Sequence, residues 1–139
     1  MKFLVTGANG FIGSNLVRRI VERGDEAVAL VRARSDLSLL KDVAATLCRG
    51  DILDAASLDR AMEGVDVVVH VAGLASDWGP YQSFHDVNVT GTKNVMESAM
   101  KCGVKRVVLI SSTASSISIK TLIESSKMVR ESNETIKNL

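Results

Sequence analysis

Short runs of apolar residues alternate with longer amphipathic stretches along most of this chain. The apolar runs occupy residues 3–5, 27–31, 45–49, 65–71 and 107–110, and they are nearly continuous rather than interrupted by polar residues. Continuous apolar runs of this length are typical of parallel strands that are buried on both faces of a sheet. The sequence therefore predicts five parallel strands, with the weakest pattern at the third.

The stretches between the strands carry apolar residues at helical spacing. They predict helices over residues 10–23, 54–63 and 84–101, and a short helix within residues 35–43. Asp54 is the expected N-cap of the second helix, because its carboxylate can accept bonds from the first-turn amides. The expected helix terminators are Gly24, Gly64 and Gly103. The residues of the last helix expected to face the core are Val89, Val95, Met96, Ala99 and Met100.

The alternation of strand and helix predicts the α/β class, with a doubly wound parallel sheet in the order 3-2-1-4-5 and right-handed crossovers. Residues 1–117 would form this domain, and residues 118–139 would form a tail with the pattern of an amphipathic helix. Ligands of such sheets bind at the carboxyl ends of the strands, where the strand order reverses. We therefore expect the functional residues in the turns that follow the strands.

The turn after the first strand contains Gly7, Gly10 and Gly13 and leads directly into a helix. Gly7 would allow a sharp turn, Gly10 would let the backbone approach a pyrophosphate, and Gly13 would let the helix pack closely. The unpaired amides at the start of the helix favour an anion. This context predicts a dinucleotide site, and an ordinary turn that happens to contain glycines is the alternative.

The sequence TGANGFIG at residues 6–13 resembles the glycine-rich turn of the extended short-chain dehydrogenase/reductase superfamily. That branch includes NAD-dependent sugar-nucleotide epimerases and dehydratases, dihydroflavonol reductases and 3β-hydroxysteroid dehydrogenases. The resemblance implies a Rossmann-type fold, and it assigns Phe11 and Ile12 to the cofactor site together with the glycines.

The end of the second strand carries Arg32, with Arg34 close behind. A site selective for NAD places Asp or Glu about 20 residues past the glycines, to bond the ribose hydroxyls. A guanidinium at that place can instead bind a 2′-phosphate through paired, charge-assisted bonds. We therefore expect NADP as the cofactor. NAD is the alternative because Asp36 is close enough in sequence to serve the ribose, and both arginines could also be solvated loop charges.

The segment after the third strand, Gly50-Asp51-Ile52, resembles the family's G-D-[IVL] segment. The resemblance implies that Asp51 accepts a bond from the adenine amino group and that Ile52 packs on the ring. The alternative is that Asp51 only begins a turn before the cap at Asp54.

The fourth strand ends in a segment that resembles the family's H-x-A-[AG] pattern, beginning at His70. The resemblance implies that Val71, Ala72, Gly73 and Leu74 pass close to the ribose and nicotinamide half of the cofactor. We expect His70 itself to be a packed strand residue rather than a catalyst.

The loop that follows, SDWGP at residues 76–80, resembles the 3β-hydroxysteroid dehydrogenase and dihydroflavonol reductase-like members in particular. Trp78 and Tyr81 would lie over the site, where they either contact substrate or cover the end of the sheet. Further on, the segment around Asn88 and Gly91 resembles the family's N-V-x-G-T helix. The resemblance implies that Asn88 bonds backbone near the fourth strand and that Gly91 permits close packing; an exposed Asn88 is the alternative.

The fifth strand ends in Ser111-Ser112-Thr113, which resembles the family's S-S-[ST] strand end. The resemblance assigns the catalytic hydroxyl to Thr113, with the two serines as alternatives. The family also uses a Tyr-x-x-x-Lys pair, in which the lysine lowers the pKa of the tyrosine that moves the proton. Here Ile123 stands where that tyrosine is expected, and Lys127 is in place as a candidate for binding the ribose. This segment is either a remnant of the catalytic helix or a coincidence.

Composition narrows the class of protein further. The chain has 139 residues, 46% hydrophobic and 24% charged, with a formal net charge of +1. These values fit one globular domain and give no electrostatic reason to expect nucleic acid or a membrane surface as a partner. Cys48 and Cys102 lack metal-ligand spacing, so we expect no metal, reduced and buried thiols, and a cytoplasmic location.

Together these patterns predict the NAD(P)-binding domain of an extended short-chain dehydrogenase/reductase, an oxidoreductase or epimerase, without the C-terminal substrate lobe and the catalytic tyrosine. A non-catalytic module that responds to NAD(P) is the first alternative. A second chain that supplies the tyrosine and the substrate lobe is another. The substrate is not indicated, and a homodimer is possible.

Overall fold

The computed structural model of the chain describes residues 1–76 and 78–111. In these residues five parallel strands form one sheet, and their bounds are β1 (Lys2–Thr6), β2 (Glu26–Val31), β3 (Thr46–Arg49), β4 (Val67–His70) and β5 (Arg106–Leu109). Their order across the sheet is β3-β2-β1-β4-β5, which confirms the predicted Rossmann-type arrangement. The order reverses between β1 and β4, since β1 pairs with β2 on one side and with β4 on the other.

The part of the chain that the structure describes has four α-helices, which lie between or beside the strands, and their bounds are α1 (Phe11–Glu22), α2 (Ala55–Ala61), α3 (Tyr81–His85) and α4 (Thr92–Lys101). Asp54 caps α2 as predicted, accepting bonds from the amides of Ala56 and Ser57. Gly24 follows α1 with a φ of +80°, which is a conformation that glycine adopts without strain. These local signals mark where α1 ends and where α2 begins.

Two predicted helices differ from the structure. The helix expected over residues 84–101 begins earlier and is interrupted by a π-helical segment, Asp86–Gly91, which joins α3 to α4. The short helix expected within residues 35–43 is one 3-10 turn, Ser38–Leu40. There the carboxylate of Asp36 accepts bonds from both the amide and the hydroxyl of Ser38, a local arrangement that competes with a regular helix.

The core has two layers, one on each face of the sheet, because successive strand residues point to opposite faces. Leu4 and Val68 pack on one face with Leu58 of α2 and Val95 of α4. The opposite face packs against α1, and its buried residues include Val5, Val17, Ile20, Val67 and Val69. This burial on both faces explains the continuous apolar runs in the sequence.

Several residues are less buried than predicted. Met100 is 40% exposed and Met96 is only half-buried, because Val95 and Ala99 define the inner face of α4 and Met100 lies about 100° further round it. Cys48 and Cys102 are free thiols, but they are half-buried rather than buried. Within residues 1–76 and 78–111, none of the helices has the length and hydropathy needed to cross a membrane.

Candidate functional site

A groove with two lobes follows the carboxyl ends of the strands at the point where the strand order reverses. The first lobe, with a volume of about 300 Å³, lies between the glycine-rich turn and the ends of β2 and β3. The second lobe, of about 740 Å³, lies between the start of α1 and the ends of β4 and β5. The two lobes share one wall, made of Val71, Ala72, Gly73 and Leu74. We call this four-residue segment the groove wall.

The glycine-rich turn is in close contact with the groove wall. Gly7 has a φ of +64°, and a Cβ built on it would lie 2.7 Å from the amide nitrogen of Ala72. A Cβ on Gly13 would lie 2.1 Å from the carbonyl oxygen of Gly7, so α1 begins directly against the turn. Gly10 is the N-cap of α1 and offers no side-chain oxygen to the first-turn amides. Those amides lie beside the groove, where an anionic group can satisfy them.

The end of β2 presents Arg32 to the first lobe. The amide of Arg32 donates to Ser35 Oγ at 3.1 Å, and the amide of Ser35 donates back to the Arg32 carbonyl at 3.1 Å, which closes a tight turn. Arg49 Nη1, from the end of β3, donates to the carbonyls of Arg32 and Ala33. Sequence reasoning missed Arg49; its only signal was its position at the end of the strand next to β2.

Asp51 and Ile52 both line the first lobe. Asp51 also begins a turn, as the alternative interpretation held, because its Oδ1 accepts from the amide of Leu53 and its carbonyl accepts from the amide of Asp54. Ile52 is buried and packs under the π-helical segment, where a Cβ on Gly91 would lie 2.5 Å from Ile52 Cδ1. The close packing expected at Gly91 is therefore confirmed, and it holds Ile52 at the floor of the lobe.

Asn88 is tied to the groove wall. Its Oδ1 accepts from the amide of Leu74 at 2.8 Å, and its Nδ2 donates to the carbonyl of Leu74 at 3.0 Å. The expected bond to backbone near β4 is confirmed, and the exposed alternative is wrong, since Asn88 is half-buried. The π-helical segment that carries Asn88 is a type of helix irregularity that is frequent at functional sites.

His70 is a packed strand residue, as expected, and is only 2% exposed. Its ring nitrogens bond Thr6 Oγ1 at 2.6 Å and Thr92 Oγ1 at 3.0 Å. Burial lowers the pKa of His70 from 6.5 to about 4, so the ring is neutral near pH 7. His70 and Thr92 also line the second lobe. Sequence reasoning had not connected these three side chains.

Every described residue that the sequence assigned to the cofactor lines one lobe or both, with the exception of Gly13, which packs behind the turn. Trp78 and Tyr81 are 89% and 76% exposed, so the interpretation that they cover the end of the sheet is wrong. Ser111 lines the second lobe, whereas Thr113, Lys127, Ser112 and Ile123 lie outside the described residues. Groove residues that the sequence did not indicate include Asn9, Leu53 and Val87.

The lobes, the turn and the wall suit a long anionic ligand. Comparisons with known proteins show which proteins this chain is similar to. The chain is 42% identical over 113 residues to sterol demethylase protein B of Methylococcus capsulatus. This alignment covers 81% of this chain and 34% of that protein. The chain is 40% identical over 111 residues to 2-alkyl-3-oxoalkanoate reductase of Stenotrophomonas maltophilia, covering 80% of this chain and 33% of the relative. The chain thus spans about a third of the length of these curated relatives.

Solved structures of similar proteins also match this chain over about a third of their own length. The crystal structure of gox2253 superposes with a TM-score of 0.74 at 40% identity, covering 81% of this chain and 34% of that one. The Bordetella bronchiseptica enzyme WbmG, solved in complex with NAD, has a TM-score of 0.69 at 32% identity, covering 78% of this chain and 36% of that one. Residues 3–120 match the sequence model of the NAD dependent epimerase/dehydratase family. Because that match takes in most of the chain, the chain belongs to the NAD dependent epimerase/dehydratase family.

Proposed function

We propose that this chain binds a nicotinamide dinucleotide along the groove and serves as the cofactor-binding part of a reductase or epimerase. The observation that carries the proposal is the continuity of the two lobes past the glycine-rich turn, through the groove wall that they share. The Gly7 position supports it independently, because any side chain there would collide with Ala72. A pyrophosphate would lie at the start of α1, where the first-turn amides are available.

The first lobe suits the adenosine half of the ligand. Asp51 and Ile52 line it, one offering carboxylate oxygens to an amino group and the other an apolar surface to a ring. The second lobe is larger and suits the nicotinamide half, with Phe11, Ile12 and Asn88 at its edges. When bound, the cofactor would supply or accept a hydride at its nicotinamide ring. The chain's own residues would bind and orient that ring beside the groove wall.

Within this proposal, NADP is the preferred cofactor. Arg32 is exposed at the first lobe, and Arg49 braces the turn that carries it. Asp36, the residue that would favour NAD, bonds Ser38 with both carboxylate oxygens. A guanidinium beside the adenosine ribose suits a 2′-phosphate better than a pair of hydroxyls.

A second candidate function is a module that binds NAD(P) without catalysis. It is favoured by the segment that resembles the catalytic helix, where Ile123 stands at the place of the expected tyrosine. Tyr81 is exposed at the start of α3 and lines neither lobe. The catalytic hydroxyl assigned to Thr113 and the ribose-binding role of Lys127 remain predictions. Turnover of added carbonyl or alcohol substrates by the purified chain would favour the enzyme, and tight binding without turnover would favour the module.

A fluorescence titration of the purified chain with NADPH and NADH tests the proposal. We expect NADPH to bind more tightly, and Arg32→Ala to weaken NADPH roughly tenfold or more while changing NADH little. Arg19→Ala is the matched control, because Arg19 is an exposed cation of α1 that pairs with Glu22. Preference for NADH would overturn the NADP assignment alone. Binding of neither nucleotide would overturn the dinucleotide proposal.

A further inference from the structure

A chain of hydrogen bonds connects β1, β4 and α4 behind the groove wall. It runs from Thr6 Oγ1 to His70 Nδ1 at 2.6 Å, and from His70 Nε2 to Thr92 Oγ1 at 3.0 Å. All three side chains are buried. At one end, Thr6 Oγ1 also accepts from the amides of Val71 and Ala72, each at 3.2 Å. At the other end, Thr92 Oγ1 donates to the carbonyl of Asn88 at 2.8 Å.

The other hydrogen-bond partners of Thr6 and Thr92 determine where the protons of these three side chains lie. The single hydroxyl proton of Thr92 goes to the Asn88 carbonyl, so Thr92 Oγ1 can only accept from His70 Nε2–H. The two lone pairs of Thr6 Oγ1 accept from the groove-wall amides, so its proton is donated to His70 Nδ1. His70 is therefore neutral, with the proton on Nε2. Only this arrangement gives every donor an acceptor.

The direction of these bonds has a consequence for the groove wall. Because Nδ1 takes the proton of Thr6, the oxygen lone pairs of that hydroxyl are turned toward Val71 and Ala72. The Ala72 amide is the atom closest to a Cβ on Gly7, so it lies where the wall meets the glycine-rich turn. The Thr6 hydroxyl therefore bonds the wall at the place where the wall meets the turn.

We propose that His70, as the neutral Nε2–H tautomer, is a positioning residue: it orients the Thr6 hydroxyl, and the Thr6 hydroxyl holds the groove wall against the glycine-rich turn. Thr92 holds the other side of the ring and connects it to Asn88, which bonds Leu74 at the far end of the same wall. The wall is thus held at both ends by one connected set of bonds. That a dinucleotide binds along the wall rests on the proposed function. The positioning role of His70 does not depend on any ligand.

Two pairs of variants separate positioning from simple packing. In a side chain at position 70, the Oδ1 of Asn falls near the place of His Nδ1, and the Nε2 of Gln falls near the place of His Nε2. His70→Asn therefore keeps an acceptor for Thr6, and His70→Gln keeps only the donor to Thr92. Thr6→Ser keeps the hydroxyl, and Thr6→Val removes it at nearly constant volume. His85→Gln is the control, since His85 lies outside this network and is partly exposed.

The first measurement is nitrogen NMR of the wild-type histidine ring together with amide hydrogen exchange at Val71 and Ala72. We expect the Nε2–H tautomer, and exchange at both amides roughly tenfold faster in His70→Gln and Thr6→Val. We expect His70→Asn, Thr6→Ser and His85→Gln to stay within about threefold of wild type. Equal exchange in His70→Asn and His70→Gln, or an Nδ1–H tautomer in the wild type, would overturn the proposal. The tautomer result decides even where a variant fails to fold.

The second measurement is the affinity of the same variants for NADPH and NADH. We expect His70→Gln and Thr6→Val to bind roughly tenfold more weakly than His70→Asn and Thr6→Ser, in step with the exchange rates. Unchanged affinity in all variants despite faster wall exchange would overturn the role of the wall in binding. If the wild type binds neither nucleotide, the proposed function fails, while the tautomer and the exchange pattern still decide whether His70 positions the wall.

Discussion

Arg49 braces the backbone of Arg32 at the edge of the groove, with its Nη1 2.8 Å from the Arg32 carbonyl oxygen. The two residues are neighbours because β2 and β3 pair in parallel, with Val31 opposite Arg49. The same nitrogen lies 3.3 Å from the Ala33 carbonyl, so one side chain fixes two consecutive peptide units. The position of the Arg32 side chain therefore depends on a residue from another strand.

This arrangement predicts a change in cofactor preference when Arg49 is altered. Arg49→Met removes both bonds and the charge but keeps an unbranched side chain, so we expect NADPH binding to weaken about three- to tenfold with little change for NADH. Fluorescence titration measures both affinities. Arg60→Met is a suitable control, because Arg60 is in the last turn of α2 and, among the described residues, makes no hydrogen bond to Arg32. Equal weakening of both nucleotides would contradict a role in selectivity.

The contact between α1 and the glycine-rich turn predicts a large effect on stability. Gly13→Ala would put a Cβ 2.1 Å from the Gly7 carbonyl oxygen, and backbone cannot yield as a side chain can, so we expect a loss of roughly 3 kcal/mol or more in the free energy of unfolding. Gly24→Ala is the comparison, since Gly24 has a φ of +80° and open space around it. It should cost about 1 kcal/mol. Chemical denaturation of both variants measures the difference, and similar losses would contradict the steric explanation.

Most of the fold could be predicted from the sequence because its signals are local. The continuous apolar runs, the glycine-rich turn and the Asp54 cap each depend on a few neighbouring residues, and the sheet order follows from the crossover rule. The same reasoning could not find the pair formed by Thr6 and His70, which lie 64 residues apart. They meet because β1 and β4 pair with Thr6 opposite His70, and register is not visible in either strand alone.

The residues of the candidate site also fall into those that the sequence predicted and those that it did not. Residues recognised by motif, such as Asp51 and Asn88, are found at the groove. Arg49 was missed because its partners are main-chain carbonyls, which leave no trace in the sequence. The burial of Met100 was overestimated because an apolar side chain at helical spacing does not by itself say how wide the buried stripe is.

The buried His70 predicts that stability depends on pH in mildly acidic solution. Its pKa is about 4 in the folded chain and 6.5 in the unfolded chain, so between these values the unfolded chain takes up a proton that the folded chain does not. The free energy of unfolding should therefore fall as the pH is lowered from 6.5 to 4, by about 3 kcal/mol in total. Denaturation at several pH values, compared with His70→Asn, isolates this contribution.

Two carboxylates with lowered pKa values, Asp59 and Asp66, contribute to the pH dependence below this range. Hydrogen bonds from Lys101 and Lys105 lower the pKa values of Asp59 and Asp66, respectively, below the usual 3.8. Their contribution to stability is present above pH 3.8 and is lost as the pH falls through the lowered pKa values. A slope between pH 4 and 6.5 that is the same in wild type and His70→Asn would contradict the assignment to His70.

The reciprocal pair of bonds between Asn88 and Leu74 predicts that an amide is required at position 88. Asn88→Asp keeps an oxygen for the Leu74 amide, but it replaces the Nδ2 donor with a second oxygen facing the Leu74 carbonyl 3.0 Å away. Two acceptors at that distance repel one another, so we expect the far end of the groove wall to shift and dinucleotide affinity to fall about tenfold. Gln82→Glu is the matched control, because Gln82 Nε2 donates to Asp86 Oδ1 at 2.6 Å and Gln82 lines neither lobe. Titration with NADPH and NADH, together with hydrogen exchange at Leu74, measures both effects. If Asn88→Asp bound the dinucleotide as tightly as wild type, the pair would be holding the loop without shaping the groove.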